Sequence, residues 1–222
     1  ENPKAHVVYW EGKFNYSAIN NFGIAHAKGE YLLLLNNDTE IINEDCLEEL
    51  LGCCMRSDVG AVGARLYYED ETIQHAGVVI GFGGIAGHCF VQQKRGESGY
   101  CHRIICTQDY SAVTAACMMV KREAYDAAGG LSEELEVAFN DIDFCLKLQR
   151  EGYLVVYNPY AELYHYESKS RGLDDTPEKV ARFAREIETF EKKWPEILKN
   201  GDPYYNPNLT LDSQDFSLRR NG

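Results

Sequence analysis

Asn36 and Asp38 follow directly after an apolar run, Tyr31–Leu35, in the sequence YLLLLNNDTE. An apolar run that stops at polar residues is typical of a buried strand with a site at its carboxyl end. Because residues two apart in an extended chain face the same side, Asn36 and Asp38 present two oxygen-bearing side chains together. Such oxygens suit a hard divalent cation, whereas Asp38 alone serves equally well as a helix cap. These residues are the first candidates for a metal site.

Asp141 and Asp143 lie at the predicted start of a helix, in the stretch FNDIDFCLK. Acidic residues at this position complement the helix dipole, which is a sufficient structural explanation for both. Alternatively, a carboxylate at the rim of a cleft takes a proton from a substrate hydroxyl, which makes Asp141 a candidate general base. The sequence leaves both interpretations open.

His165 ends a predicted strand in the stretch LYHYESKSRG, and the cations Lys169 and Arg171 follow it. A lone histidine more often has a structural role than a ligand role. A histidine near a metal-capable aspartate, followed by two cations, suits a metal ion and a diphosphate. The stretch therefore favours a metal role for His165 and a phosphate-binding role for Lys169 and Arg171.

Apolar periodicity places these residues on alternating strands and helices. Strands are predicted at 6–10, 31–35, 59–67, 73–80, 114–120, 153–157 and 161–165, and helices at 15–27, 44–55, 122–128, 141–151 and 177–193. Residues 81–107 are rich in glycine and polar residues, which predicts a long, mobile loop whose His88 and His102 could reach the site. The alternation predicts an α/β sheet flanked by helices, with ligands at the carboxyl ends of its strands.

Composition argues against a nucleic-acid-binding or membrane-spanning protein. The net charge of −13 argues against a nucleic-acid partner, because phosphate backbones require a basic surface. No apolar run is long enough to span a bilayer. The 8 cysteines include no CxxC pair, and a domain of 222 residues does not need disulfides, so we expect mostly buried, reduced thiols. We therefore expect a cytoplasmic protein, either free or peripheral at the inner face of the membrane.

Three stretches together resemble the family 2 glycosyltransferases of the GT-A fold, the nucleotide-sugar-dependent enzymes of bacterial surface-polysaccharide assembly. They are NYSAINNFGIAHAKGEYLLLLNNDTE, TAACMMVKREAYDAAGGLSEELEVAFNDIDFCLKLQREGY and YHYESKSRG, and they cover much of residues 15–172. The tail, with DPYYNPNLTL and DSQDFSL, is similar to that of the O-antigen and rhamnosyl-type branch. The order and spacing of the stretches carry the resemblance, since no one motif is decisive.

The resemblance implies inverting transfer of a hexose from a UDP- or dTDP-linked sugar to a saccharide or lipid-linked saccharide acceptor, with Mn²⁺ or Mg²⁺ as cofactor. NND stands where the family has its Asp-x-Asp motif, which implies that Asp38 binds the metal and that His165 completes the metal shell. The resemblance makes Asp141 the base that deprotonates the acceptor hydroxyl. The other implied contacts are Asn36, Asn37, Asn21, Lys169 and Arg171 with the donor, and Asn140 and Asp143 with the acceptor.

Family members also open with a strand and an Asp that grips the base, and no comparable stretch precedes residue 1. We therefore expect one glycosyltransferase domain over residues 1–222, a mixed GT-A sheet that is incomplete at its N-terminal nucleotide-binding half. Its expected parts are the rest of that half (1–40), the acceptor and catalytic half (41–172) and a C-terminal helix and tail (173–222). An open sheet edge at Val7–Tyr9 or Tyr31–Leu35 then predicts a homodimer, and the missing donor contacts predict that the 222-residue chain alone is inactive.

Two other functions stay open. One is a non-catalytic carbohydrate- or nucleotide-binding module on the same fold, in which some of the 15 tyrosines stack on sugars. The other is a nucleotidyltransferase or phosphatase, although those chemistries usually need several metal-binding carboxylates and this sequence offers one with a histidine. Metal-dependent sugar transfer distinguishes the enzyme from both.

Overall fold

The structure is a computed structural model that describes residues 5–166 and 176–219. Its α-helices are α1 Tyr16–His26, α2 Cys46–Cys54, α3 Arg122–Ala127, α4 Asn140–Arg150, α5 Pro177–Lys193 and α6 Pro195–Asn200. Its strands are β1 Tyr31–Leu35, β2 Thr39–Ile41, β3 Val59–Tyr67, β4 Ile73–His75, β5 Val78–Ile80, β6 Ala86–His88, β7 Gln108–Asp109, β8 Cys117–Lys121 and β9 Leu154–His165.

One mixed sheet organises the described residues, with the strand order β1-β8-β3-β9-β2. The central strands β3 and β9 run parallel, while β1 with β8, β8 with β3, and β2 with β9 are antiparallel. Short strands extend the sheet at two places, where β4 pairs with β3 and β7 pairs with β9. The predicted α/β architecture with a mixed sheet is confirmed.

Both faces of the sheet are buried, which explains the continuous apolar runs in β1 and β3. On one face, α2 packs Leu50 and Cys54 against Val62 of β3. On the other face, α3 and α4 pack against alternate residues of the same strands, including Ala61. Leu50 is fully buried, and burial of a leucine side chain contributes about 1.5–3 kcal/mol.

Local signals decide where the helices begin. The side chain of Asn15 accepts a hydrogen bond from the Ala18 N–H at 2.9 Å and caps α1. Thr176 caps α5 in the same way through the N–H of Lys179, and Pro177 occupies the first helical turn. Both starts lie within two residues of the predicted ones.

The strand prediction for residues 6–10 is wrong. This segment has no regular structure, and Val7 and Tyr9 are exposed, so its apolar residues have no strand to pair with. Its ordered contact is the ring of Trp10, which packs edge-on against Phe22 of α1 with 5.6 Å between ring centroids. An apolar run alone does not make a strand where no partner strand is available.

Other strand predictions have the wrong boundaries. Residues 73–80 form two strands rather than one, because Gly77 adopts a φ of 98° and the ring of Tyr110 occupies the space beside its Cα. Conversely, residues 153–157 and 161–165 belong to a single strand, β9. The pairing of β9 with β3 shifts register between Asn158 and Glu162, so the residues between them bulge out of the pairing without ending the strand.

The segment 81–107 contains more structure than the loop prediction allowed. It contains β6 and short 3₁₀ turns, and it buries Phe82, Phe90 and Ile104. The C-terminal tail supplies the partner for these side chains, since Phe216 stacks on Phe90 at 4.6 Å between ring centroids. Sequence periodicity cannot show this packing, because the two segments are distant in the chain.

The eight cysteines are all free, and burial raises the pKa of Cys46 to about 11 and that of Cys54 and Cys117 to about 12. These thiols therefore stay protonated at neutral pH and act as small apolar side chains. Across residues 5–166 and 176–219, no helix combines the length and the apolar character that crossing a membrane requires.

Candidate functional site

The site lies where β1 and β9 end. Backbone pairing sets the geometry: the N–H of Asn36 donates to the carbonyl of Ala116 at 2.9 Å, and Thr39 pairs with His165. The carbonyl of Asp38 accepts from the N–H of Tyr166 at 2.9 Å, which ties the turn after β1 to the end of β9. Residues 129 positions apart in the chain, Asn36 and His165, thereby come into side-chain contact.

Three side chains converge at this corner. The His165 Nε2 atom lies 3.1 Å from the Asn36 Nδ2 atom and 3.3 Å from the Asp38 Oδ1 atom. The side chains of Asp38 and His165 are only 15% and 11% exposed, so bulk water screens their contact poorly. The structure thus brings together the three residues that the sequence predicted for metal and donor binding.

Gln74 of β4 determines the state of the His165 ring. The Gln74 Nε2 atom donates to the backbone carbonyl of His165 at 3.2 Å, which turns the Gln74 Oε1 atom towards His165 Nδ1 at 2.7 Å. The Nδ1 atom therefore carries the proton, and in the neutral ring the Nε2 atom keeps its lone pair. A histidine ligand held through its other nitrogen is typical of metal sites.

Asp38 completes the case for a cation. Its Oδ1 atom is buried and has no hydrogen-bond donor among the described residues, although it lies 3.3 Å from the Nε2 atom of His165. The Nε2 lone pair accepts from the Asn36 Nδ2 group, so His165 in this tautomer gives the Asp38 oxygen no proton, and a positive charge beside both atoms would satisfy them. The described residues contain no cluster of three or more His, Cys, Asp or Glu side chains that could hold a metal, so Asp38 and His165 form a two-residue set.

Asp141 is connected to this corner through a short segment that precedes β8. Its Oδ2 atom accepts a hydrogen bond from the Ala115 N–H at 3.2 Å, and the next residue, Ala116, binds the N–H of Asn36. Asp141 thus lies, partly exposed, at the N-terminus of α4. The segment Ala115–Ala116 connects it to the corner formed by Asn36, Asp38 and His165, which we call the metal corner.

Tyr16 of α1 holds the same segment from the other side. Its hydroxyl donates to the Ala115 carbonyl at 3.0 Å, so Tyr16 and Asp141 bind the two polar groups of one residue. Burial, and secondarily the charge of Asp141, raise the pKa of Tyr16 well above its ordinary value. The hydroxyl therefore remains a donor across the physiological range.

The expectation that Asp143 contacts the acceptor is wrong. Its side chain is fully buried, and its oxygens accept from Trp194 Nε1 at 2.9 Å and from the Ser132 hydroxyl at 2.6 Å. The ammonium groups of Lys193 and Lys147 lie 3.0 Å and 3.7 Å from the carboxylate. Asp143 joins α4 to the C-terminal helices and leaves no surface for a substrate.

Asn21 and Asn140 also have structural contacts in place of the expected ligand contacts. The Asn21 side chain binds both backbone groups of Leu131 and accepts from the Tyr125 hydroxyl, so it stabilises the turn before α4. Asn140 is 3% exposed and donates to the carbonyl of Val137 at 2.8 Å. Neither amide faces the corner formed by Asp38 and His165.

The remaining candidates divide into three cases. Asn37 is exposed in the turn beside Asp38, where a donor could contact it. Lys169 and Arg171 lie outside the described residues, so their predicted role stays a prediction. The His88 Nδ1 atom donates to the Gln74 carbonyl at 3.0 Å, so His88 contacts the residue that binds His165, while His102 is exposed.

Gln74 is the residue that the sequence interpretation missed. It sits in a strand whose three residues are all buried, and a buried amide inside an apolar strand needs a partner. The position of Gln74 between Ile73 and His75 in a buried strand was the sequence feature that could have indicated a polar partner. Its partner, His165, depends on the neighbouring strands and could not be read from spacing.

Comparisons with known proteins identify the family of the chain. A family model described as glycosyl transferase family 2 matches residues 1–127. An uncharacterized protein, y4gI, from Sinorhizobium fredii is 53% identical over 206 residues, which are 92% of this chain and 23% of that protein. The O-antigen biosynthesis protein RfbC of Myxococcus xanthus is 39% identical over 221 residues, 99% of this chain and 17% of that protein. The chain thus spans about a fifth of the length of these relatives.

A solved structure supports the fold independently. The crystal structure of GalNAc-T7 with UDP, GalNAc and Mn²⁺ superposes with a TM-score of 0.62 at 13% identity, over 85% of this chain and 36% of that one. At this identity the likeness concerns the fold alone. Taken with the family match over more than half of the residues, it shows that this chain belongs to glycosyltransferase family 2 and has the GT-A fold.

Proposed function

We propose that the protein transfers a hexose from a nucleoside-diphosphate sugar to a saccharide or lipid-linked saccharide acceptor, with inversion at the anomeric carbon. The observation that carries this proposal is the buried Asp38 Oδ1 atom, which has no hydrogen-bond donor among the described residues and lies 3.3 Å from the Nε2 atom of His165. That pair provides a place for a divalent cation at the carboxyl end of β1, where ligands of such sheets bind. The O-antigen role of one relative supports a saccharide acceptor.

Asp38 and His165 would hold Mn²⁺ or Mg²⁺. Bound there, the cation would supply positive charge for the diphosphate leaving group. The donor set fits this role, because a carboxylate oxygen and an imidazole nitrogen both suit Mn²⁺. Asn36 turns its amide to offer its oxygen in place of the Nδ2 group that now donates to His165, and Asn37 contacts the donor from the turn. Lys169 and Arg171 neutralise the diphosphate in this proposal.

Asp141 removes the proton from the acceptor hydroxyl. Backbone N–H groups anchor both carboxylate oxygens, since the Ala115 N–H donates to Oδ2 at 3.2 Å and the Ile142 N–H donates to Oδ1 at 2.9 Å. Each oxygen keeps a further lone pair for the proton of the acceptor hydroxyl. Because Ala115 and Ala116 also connect to Tyr16 and Asn36, the base and the metal corner are held by one short segment. A single displacement with inversion needs a base and a stabilised leaving group on opposite faces of the sugar ring, and no covalent nucleophile.

The binding-module alternative has weaker support. A module that only binds a saccharide does not need an aspartate oxygen buried without a donor, since such an oxygen costs free energy. Nor does it need a glutamine that keeps the proton of the His165 ring on Nδ1, away from that oxygen. The stored unfavourable contact is more easily explained by a cation that relieves it.

Transfer is tested by offering UDP-, dTDP- and GDP-linked sugars with Mn²⁺ to an active form of the protein and detecting the glycosylated acceptor by mass spectrometry. We expect product that disappears on chelation and returns with Mn²⁺. Release of free sugar or phosphate without a glycosylated acceptor, for every donor offered, would instead assign a hydrolase.

We further propose a homodimer through the edge of β1. In the described part of the chain, β1 ends the strand order and pairs only with β8, and its last residue, Leu35, is 44% exposed. Open apolar edges invite another chain. We also propose that the 222-residue chain alone does not catalyse transfer, and that the active protein works in the cytoplasm or at the inner face of the membrane. Light scattering tests the dimer, and the transfer assay on the isolated chain tests its inactivity.

A further inference from the structure

A groove outside the metal corner is formed by two segments distant in sequence. Residues 82–93 supply one wall and residues 211–215 of the C-terminal tail supply the other, and together they enclose about 480 Å³. This volume lies within the range of small-molecule sites, roughly 300–1,000 Å³. The walls are joined by a backbone hydrogen bond from the Phe90 N–H to the Gln214 carbonyl, at 2.9 Å.

The lining combines an apolar side with a polar rim. Val91 and Leu211 supply the partly exposed apolar side, while Phe82 and Phe90, which also line the groove, are almost fully buried. The rim carries amides whose side chains form no hydrogen bond with the described residues, among them Gln93 and Gln214. Free amides at a groove can donate to and accept from a ligand.

The charge of the groove restricts the ligand. Asp212 and Asp215 line it, and no lysine, arginine or histidine of the described residues does. Hydrogen bonds from Ser213 and Ser217 lower the pKa of Asp215, so its carboxylate is ionised at neutral pH. Two carboxylates without a cation repel phosphates and other anions, while they accept hydrogen bonds from neutral hydroxyl groups.

The backbone of the groove is strained at residues that are not glycine. Phe90 and Phe216 adopt φ values of 60° and 63°, and Gln92 adopts 66°. Such conformations cost about 1–3 kcal/mol each and persist where the surrounding structure enforces them. Here the packing of Phe90 on Phe216 enforces them and keeps the two walls of the groove in place.

The groove is also connected to the metal corner. The hairpin β5–β6 carries His88, which binds the carbonyl of Gln74, the residue that orients His165. The neighbouring residue of the same strand, Gly87, packs against two residues that line the groove, since a Cβ placed on it would lie 3.0 Å from Phe82 Cβ and 3.4 Å from Gln214 Nε2. The hairpin therefore contacts Gln74 through His88 and the wall of the groove through Gly87.

We infer that this groove is a subsite for a neutral saccharide segment of the acceptor. A sugar ring has a C–H face that packs on apolar side chains and a hydroxyl edge that binds amides and carboxylates, which matches both sides of the groove. Its neutral hydroxyls suit a rim that carries acids without cations. The inference rests on the proposed function for its biological meaning, but the binding itself requires neither donor nor metal.

The test is an NMR titration of the ¹⁵N-labelled 222-residue chain with neutral trisaccharides built from rhamnose, mannose, glucose or galactose, without metal or nucleotide. We expect at least one trisaccharide to shift the side-chain amide signals of Gln93 and Gln214. The double variant Gln93→Ala/Gln214→Ala should weaken this binding about tenfold or more, because two hydrogen bonds are lost. The steric variant Gln214→Trp should abolish it, while the control Glu97→Ala, on an exposed side chain of the same segment, should bind like the wild type.

Three results would overturn the inference. They are the absence of shifts in the groove with every trisaccharide, shifts that survive in Gln214→Trp, and groove shifts produced by Mn²⁺ or by an unstructured peptide instead of a saccharide. Failure here leaves sugar transfer untouched, because transfer is assayed separately with donor and Mn²⁺. Conversely, saccharide binding without any transfer activity would contradict the proposed function but support the groove as a saccharide-binding site.

Discussion

Asp38 and Asp143 are two largely buried aspartates with opposite surroundings. Asp143 accepts from an indole N–H and a hydroxyl and lies beside two ammonium groups, so its charge is fully compensated. Asp38 has a buried oxygen with no donor among the described residues, 3.3 Å from a histidine nitrogen that carries no proton. A satisfied buried acid holds the fold together, whereas an unsatisfied one marks a place where something else binds.

The substitution Asp141→Asn should lower turnover strongly without changing the affinity for metal or nucleotide. Asp141→Asn keeps the hydrogen bond from Ala115 but removes the basicity, so turnover should fall by about 10²–10⁴-fold. Mn²⁺ affinity and nucleotide affinity should be unchanged. Steady-state transfer assays measure the loss, and Asp126→Asn, which changes an exposed acid by the same atoms, is the control. Turnover close to wild type would exclude Asp141 as the base.

Asp143→Ala should produce the largest loss of stability. It leaves the indole N–H of Trp194 without its acceptor and removes the buried carboxylate beside Lys193 and Lys147, and the removal of one member of a buried charge network costs about 3–5 kcal/mol. Asp38→Ala should leave the free energy of unfolding without metal unchanged or slightly higher, because it deletes an unfavourable contact. Urea unfolding in a chelator measures both. Equal losses in the two variants would contradict the distinction between these acids.

Gln74→Leu should lower the affinity for Mn²⁺, although Gln74 is not a proposed metal ligand. It removes the acceptor that holds the proton on His165 Nδ1, and loss of such outer partners typically reduces metal affinity about 10–100-fold. Mn²⁺ titration measures the change. Gln149→Leu, which deletes amide bonds to the Tyr110 and Ser111 carbonyls far from the corner, is the matched control. Equal affinity in the two variants would contradict the role of Gln74.

His75, on the same strand as Gln74, should affect stability only in acid. It is fully buried and neither ring nitrogen has a hydrogen-bond partner, and burial, with the charges of His88 and His165, lowers its pKa well below the ordinary value. The unfolded state therefore binds the proton first, so stability falls as the pH drops below about 6.5.

This group alone contributes a slope of up to about 1.4 kcal/mol per pH unit below that value. His75→Phe should remove the slope while wild type keeps it. Urea unfolding between pH 7 and 5 measures the difference. Identical pH profiles would show that the buried ring does not titrate in this range.

The sequence could predict Asp38, His165 and Asp141 because each lies next to the end of a strand or the start of a helix, and those ends are local signals. Asp143 could have been separated from Asp141 in the same way, since residues two apart on a helix face different sides. The contact of Gln74 with His165 could not be predicted, because it depends on the positions of β4 and β9 in the sheet. The packing of residues 81–107 on the tail has the same cause.

Binding of Mn²⁺ to the 222-residue chain tests the central claim most directly. A titration followed by the loss of the free-ion EPR signal should show a site in the wild type that Asp38→Asn and His165→Ala each weaken at least about tenfold. Asp126→Asn removes the same charge from an exposed position and should bind Mn²⁺ like the wild type. Unchanged Mn²⁺ affinity in Asp38→Asn and His165→Ala would contradict the assignment of these two residues as the metal site.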